Sequence, residues 1–294
     1  MQGRVLGTAL VAALALASAA AVATAGETDL GTEHGLRYLS ESGEIPLKGT
    51  PSEPIRAGCP TGARHVTGGG AQLGETTHPG TPGELGATAP FGPALSQQRG
   101  WEMKALNDGT DPQAAFAFAI CSADKLEYVR RRAVLKPAGK AARASASCPE
   151  GTHVAGGGVW IAGEGGRVVS SYPFDSRDRG HKPDDGWRGT AYNTSLFESH
   201  RMFVYAACWK RAMRYTKLTV PMDPGDAISI SVECPGAITG GGVRIRGQAA
   251  ATRLTISIPE DGTDAGAAPG DAWRIATSTG PAEVKAILHA ACLS

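Results

Sequence analysis

Cys148-Pro149-Glu150-Gly151-Thr152-His153-Val154-Ala155-Gly156-Gly157-Gly158 is one of three related stretches in this chain. The others run from Cys59-Pro60 to Gly68-Gly69-Gly70 and from Cys234-Pro235 to Gly240-Gly241-Gly242. Each stretch is followed by a tryptophan (Trp101, Trp187, Trp273) and then by a second cysteine (Cys121, Cys208, Cys292). A repeated unit of this length has to be recognised first, because it sets the architecture of everything around it.

Working outward, each copy opens at a tyrosine: Leu36-Arg37-Tyr38, Leu126-Glu127-Tyr128 and Met213-Arg214-Tyr215. The repeats therefore span residues 36–124, 125–211 and 212–294. Within the third copy Ile228, Ile230, Val232 and Cys234 alternate with Ser229, Ser231 and Glu233. Side chains alternate across a strand, so the half-cystine belongs to the apolar face. The Trp segments alternate too, leaving Glu102, Arg188 and Arg274 for the solvent side. The segments before Cys121, Cys208 and Cys292 are almost wholly apolar, the mark of a strand covered on both faces. About six strands per copy follow from this pattern. The fold class is all-β, with three tandem, sandwich-like antiparallel units packed closely; a single pseudo-threefold β-prism is the alternative.

The six cysteines read as three disulfides of a secreted chain. Pairing inside each copy gives Cys59–Cys121, Cys148–Cys208 and Cys234–Cys292. Pairing across the junctions gives Cys121–Cys148 and Cys208–Cys234, with Cys59 meeting Cys292. The first scheme asks only that each copy fold by itself. Zinc ligation is disfavoured by the absence of any Cys-x-x-Cys pair.

Residues 1–25 read as a signal peptide: Arg4, an Ala/Leu/Val run, then Ala23-Thr24-Ala25 as a cleavage site. Residues 26–35 read as a polar, mobile lead-in. The expected location is extracellular. Without Arg4, 28 basic residues balance 28 acidic ones, which argues against a nucleic-acid partner. No later apolar run reaches the roughly 20 residues of a membrane span. Forty glycines and nineteen prolines suit short strands and turns.

The triple glycines could cradle an anion, but they lack the Lys-Ser/Thr of a phosphate loop. The simpler reading is a strand passing close beneath the repeat's Trp. His65 and His153 occupy matching positions, with Ala237 in the third copy, so no metal site is expected. Asp108-Gly109-Thr110-Asp111 and Asp261-Gly262-Thr263-Asp264 read as turns rather than calcium loops. No Gly-x-Ser-x-Gly elbow and no free cysteine is present. Catalysis and cofactors are therefore not expected, although paired acids for glycoside hydrolysis, for example among Asp175, Asp178, Asp184 and Asp185, cannot be judged from order along the chain. Arg130, Arg131, Arg132 and Lys136 form a basic run suited to an anionic polymer; charge on a protected edge strand is the plainer account. Lys210, Arg211, Arg214 and Lys217 repeat the feature at the next junction, and Asn193-Thr194-Ser195 is a glycosylation sequon.

Through Cys-Pro-x-Gly (Cys59 to Gly62, Cys148 to Gly151), the triple glycines, Gly-Trp (Gly100-Trp101, Gly186-Trp187) and Ala-x-Cys at the closing cysteines, the chain resembles a repeat of secreted actinobacterial proteins of unknown function. The threefold order of motifs is more distantly similar to the vitelline membrane outer layer protein I family. That resemblance implies a pseudo-threefold β-prism grouped with carbohydrate-binding prisms; the repeats here are longer and lack that family's acidic run before the closing Cys. Neither resemblance carries a catalytic residue. The function expected is a non-catalytic secreted protein binding glycan or cell-envelope polymer. The alternatives are a structural or protein-interaction element, and a hydrolase. Convergence of the three variable segments between each Pro and Trp on one shared rim would point to a ligand site; scattered segments would favour the structural reading.

Overall fold

The computed structural model describes residues 26–47, 52–74, 83–137, 139–175, 184–247, 251–261 and 268–294. The signal peptide, His78, His181, Asp178 and parts of two of the three Pro-to-Trp segments lie outside the described residues. Among the described residues there are nineteen strands and no helix, hence no helix long and apolar enough to cross a membrane.

The first repeat holds β2 (Leu36–Ile45), β3 (Ile55–Gly58), β4 (His65–Leu73), β5 (Glu84–Phe91), β6 (Gly100–Leu106) and β7 (Gln113–Ser122). The second holds β8 (Glu127–Leu135), β9 (Ala141–Ser147), β10 (His153–Ala162), β11 (Gly166–Phe174), β12 (Gly186–Asn193) and β13 (His200–Trp209). The third holds β14 (Met213–Met222), β15 (Ala227–Glu233), β16 (Ile238–Gly247), β17 (Arg253–Glu260), β18 (Ala272–Ser278) and β19 (Val284–Leu293). Ahead of them lies β1 (Glu27–Glu33), which corrects the mobile lead-in. It pairs antiparallel with β2 around a turn at His34 (φ 47°) and Gly35 (φ 79°), and Asp29 accepts from Arg37. A polar composition did not prevent this, because the segment borrows the edge of an existing sheet.

The six strands of a repeat form two layers that face each other. In the first repeat β2, β7 and β4 make one layer and β3, β6 and β5 the other. The layers do not stop at the repeat. The first sheet runs β1-β2-β7-β4-β17-β18-β15, joining one layer of repeat 1 to one of repeat 3. The second, β3-β6-β5-β10-β13-β8, joins repeats 1 and 2, and the third, β14-β19-β16-β11-β12-β9, joins repeats 3 and 2. Three sandwich-like units are therefore fused in a ring by continuous antiparallel sheets.

Each glycine of a triplet has its own duty in this ring. A methyl group on Gly68 would stand 2.9 Å from the Cα of Gly240, one on Gly156 2.9 Å from Gly68, and one on Gly240 2.8 Å from Gly156. The first glycines thus meet around the centre, each touching the next repeat. The second glycines lie beneath the tryptophans: a methyl on Gly69 or Gly157 would press into the indole of Trp101 or Trp187, and one on Gly241 into Trp273. The third glycines (Gly70, Gly158, Gly242) would collide with the carbonyls of Ser257, Thr88 and Ser171, where one repeat's sheet continues into its neighbour's. Close backbone approach is what glycine allows here.

The tryptophans are buried, and their Nε1–H groups donate to Thr88 (2.7 Å), Ser171 (2.8 Å) and Ser257 (3.2 Å). Each opening tyrosine reaches across to the preceding repeat in the ring: Tyr38 to the carbonyl of Ile238, Tyr128 to Val66 and Tyr215 to Val154. The disulfides follow the within-repeat scheme, with Cα separations of 5.7, 5.6 and 5.8 Å for Cys59–Cys121, Cys148–Cys208 and Cys234–Cys292. Because a repeat contributes to two sheets, each bond also ties neighbouring sheets together. Cys121, Cys148, Cys208 and Cys292 are buried, whereas Cys59 and Cys234 are only partly so. Three disulfides fit an oxidising compartment.

Candidate functional site

The tryptophans mark the inward face of each sheet, so side chains one position away face outward. On the second sheet the register places Trp160 opposite Phe203, Phe203 opposite Arg132, Tyr205 opposite Arg130, and Arg56 opposite Glu102. All of these point outward, with Phe91 and Lys104. The resulting surface carries four aromatic rings, each with a cation over it: Arg130 over Phe203 and Tyr205 (5.2 and 6.0 Å), Lys104 over Trp160 (4.9 Å), and Arg56 over Phe91 (5.4 Å). Such stacking holds a flexible cation above an apolar face.

A cavity of about 400 Å³ opens on this surface between Arg56, Phe91, Glu102, Arg130 and Tyr205. Its wall is the first repeat's Pro-to-Trp segment, Gly92 to Gln98, where Gln98 donates from its amide to the carbonyl of Ala94. Glu102 is paired with Arg56 at 2.9 Å, yet burial holds its carboxyl above the usual range, the arginine only partly offsetting this. The cavity wall comes from repeat 1, and Arg130 and Tyr205 come from repeat 2.

A larger cavity, about 710 Å³, lies at the opposite end of the strands. It is lined by Glu84, Arg167 and Arg253, which occupy equivalent positions in the three repeats. Its two arginines are engaged by carboxylates: Arg167 donates to Glu84 at 2.9 Å, and Arg253 pairs with Asp108 at 2.8 Å, while Lys104 at its rim lies over the Trp160 ring. The smaller cavity, with exposed cations and rings, is the better candidate.

The basic run is divided by strand geometry. Arg130 and Arg132 share the outward face, Arg131 lies opposite core residue Val204 on the other side of edge strand β8, and Lys136 sits beyond the strand. Of the four, Arg130 alone lines the cavity. At the second junction Arg211 pairs with Asp124 at 3.0 Å. The glycines and tryptophans singled out in sequence are structural, in line with the simpler reading. His153 meets Asp184 at 3.3 Å, His65 has a buried Nδ1 with its pKa lowered by burial, and no group of three metal-ligating side chains occurs among the described residues. Asn107 and Asn193 both build turns: their side-chain carbonyls accept from Gly109 and Ser195, and their amides donate to Asp111 and Glu198 carbonyls. The sequon asparagine is fully buried.

The aromatic members of the groove, Phe91, Trp160, Phe203 and Tyr205, escaped the sequence reading. Phe203 and Tyr205 alternate with core residues on a strand read as covered on both faces, and Trp160 alternates with core residues on the strand after the triple glycine. No protein-family model matches the chain, and no curated protein matches it.

Proposed function

We propose that the protein binds an acidic glycan or envelope polymer in the groove of the second sheet, without catalysis, outside the cell. The observation that carries this is the set of four outward rings, each accompanied by a cation, two of which, Phe91 and Tyr205, line an open cavity. Aromatic faces stack on the apolar faces of sugar rings, and Arg130, Lys104 and Arg56 meet carboxylates or other anionic substituents. Gln98 and Glu102 supply polar groups for hydroxyls. Among the described residues Glu102 is the one carboxylate lining the cavity, and no second acid stands beside it to form the pair that glycoside hydrolysis uses. This favours binding over turnover.

A glycan array and a pull-down with cell-wall polysaccharide test this reading. Retention of an acidic glycan that drops at least tenfold in Tyr205→Ala and in Arg130→Ala supports it. No retention, or retention unaffected by both changes, rejects it.

A further inference from the structure

The three sheets have equivalent outward faces, and their chemistry differs. The position three residues before each closing cysteine is Phe118, Tyr205 or His289; two residues after each triplet stands Gln72, Trp160 or Arg244. On the third sheet the outward positions carry Lys217 on β14, Lys285 on β19, Arg244 and Arg246 on β16, Arg188 on β12 and Arg143 on β9. None of these six cations forms an ion pair among the described residues. Arg188 is held over Phe174 (4.2 Å) and donates to Ser145 (2.7 Å), and Arg244 lies over Tyr172 (5.5 Å). The mutual influence of Arg143, Arg188 and Arg246 lowers the pKa of Arg244, after burial. These side chains are gathered closely enough to repel one another.

At the centre lies His289, 8% exposed, with its ring stacked on Tyr172 at 5.7 Å. Both of its ring nitrogens are buried without a hydrogen-bond partner. A buried polar group left unsatisfied costs free energy, and so does like-charge crowding. Both costs are relieved by an anion that accepts from His289 and the surrounding guanidinium groups. Arginine forks match phosphate and sulfate oxygens in pairs.

We infer that the outward face of the third sheet is a separate binding site for a multivalent phosphate or sulfate, with Arg188, Arg244 and His289 as its centre. The site is independent of the aromatic groove on the second sheet, because it is built from β14, β19 and β16 with β11, β12 and β9. Among the described residues the charged groups facing His289 are Lys217, Arg244 and Arg246, all positive, with Tyr172 stacked on its ring, and a bound anion brings the histidine to its protonated, doubly donating form.

Calorimetric titration of the intact, disulfide-bonded protein tests this, with tripolyphosphate as free anion, dextran sulfate as polymer-borne anion and neutral dextran as control, at low ionic strength and pH 6. Tripolyphosphate binding, weakened at least tenfold in Arg244→Gln and in Arg188→Gln and unchanged in Arg64→Gln, an exposed arginine outside both sites, is the expected result. No gain for dextran sulfate over tripolyphosphate identifies a free phosphate ligand; a gain for dextran sulfate that is lost in Arg244→Gln identifies ester groups on a polymer. A second readout is the His289 ring proton resonance, expected to titrate at higher pH when tripolyphosphate is bound. Absence of tripolyphosphate binding, equal loss in Arg64→Gln, or a His289 titration unmoved by the anion overturns the inference. Failure of the Tyr205 and Arg130 tests leaves these outcomes unaffected.

Discussion

The hydroxyl of Tyr128 in the second repeat lies 3.0 Å from the carbonyl oxygen of Val66 in the first, and donates to it. The same bond joins Tyr38 to Ile238 and Tyr215 to Val154, so three hydroxyls stitch the repeats into a ring. Burial raises the pKa of all three phenols, keeping them protonated donors. Tyr128→Phe leaves the Val66 carbonyl without that partner, and a loss of about 1–3 kcal/mol is expected. Guanidinium unfolding followed by tryptophan fluorescence measures it; a midpoint unchanged from wild type would contradict the stitching role.

Glycines inside and outside the triplets are expected to respond very differently to alanine. Gly69→Ala drives a methyl group into the indole of Trp101 and the carbonyl of Phe118, with no flexible tip to give way. The expected result is loss of at least about 3 kcal/mol, or failure to fold. Gly62→Ala meets nothing within 4 Å and keeps near wild-type stability in the same thermal-melt series. Comparable melts for both variants would refute the packing argument.

Removing a disulfide tests how the sheets are held. Cys148–Cys208 closes a loop of sequence separation 60 and links the second sheet to the third. Replacing both cysteines with alanine is expected to cost on the order of 4 kcal/mol. Hydrogen exchange should rise first along β9 and β13, the strands beside that bond. Uniform acceleration through all three repeats would instead mean that the ring opens as one unit.

Acid sensitivity follows from His289. Burial, with Lys217, Arg244 and Arg246 nearby, lowers its pKa to about 4. The unfolded chain takes up a proton near the ordinary histidine value of about 6.5, while the folded protein resists until about 4. Stability is therefore full above about pH 6.5 and declines as pH falls toward about 4, by at most on the order of 3 kcal/mol. Denaturation at pH 7.5 and 4.5 should show a smaller acid loss in His289→Gln than in wild type. An identical pH dependence would remove His289 from the account.

Much of this was readable from residue order. The alternation around Cys234 and the turn-forming residues lead to six strands per repeat, and the matched Cys spacing narrows the disulfides to two schemes, of which the within-repeat one is the simpler. Trp above glycine was also legible, since glycine beside a repeated aromatic has few other uses. The binding groove was not. Arg130 and Tyr205 come from repeat 2, and Arg56, Phe91 and Glu102 from repeat 1, so scanning each copy for a distinct constellation splits every site in half. Likewise Arg130-Arg131-Arg132 looks like one basic patch until strand geometry turns Arg131 away. The buried Asn193 looked like an exposed sequon because a turn-forming asparagine and a glycosylation acceptor have the same local signature.

The sequence by itself determined the all-β class and the threefold repetition, because these rest on alternation, turn chemistry and spacing that are local to one copy. Only the tertiary structure decided between the two disulfide schemes, that the repeats share sheets, that β1 is ordered, and that the equivalent outward faces carry different chemistry, such as Tyr205 on the second sheet where the third has His289. The reason is physical: edge strands such as β4 and β17 find each other across the whole chain through backbone hydrogen bonds, which any side-chain pattern can make, so no residue spelling announces the partner.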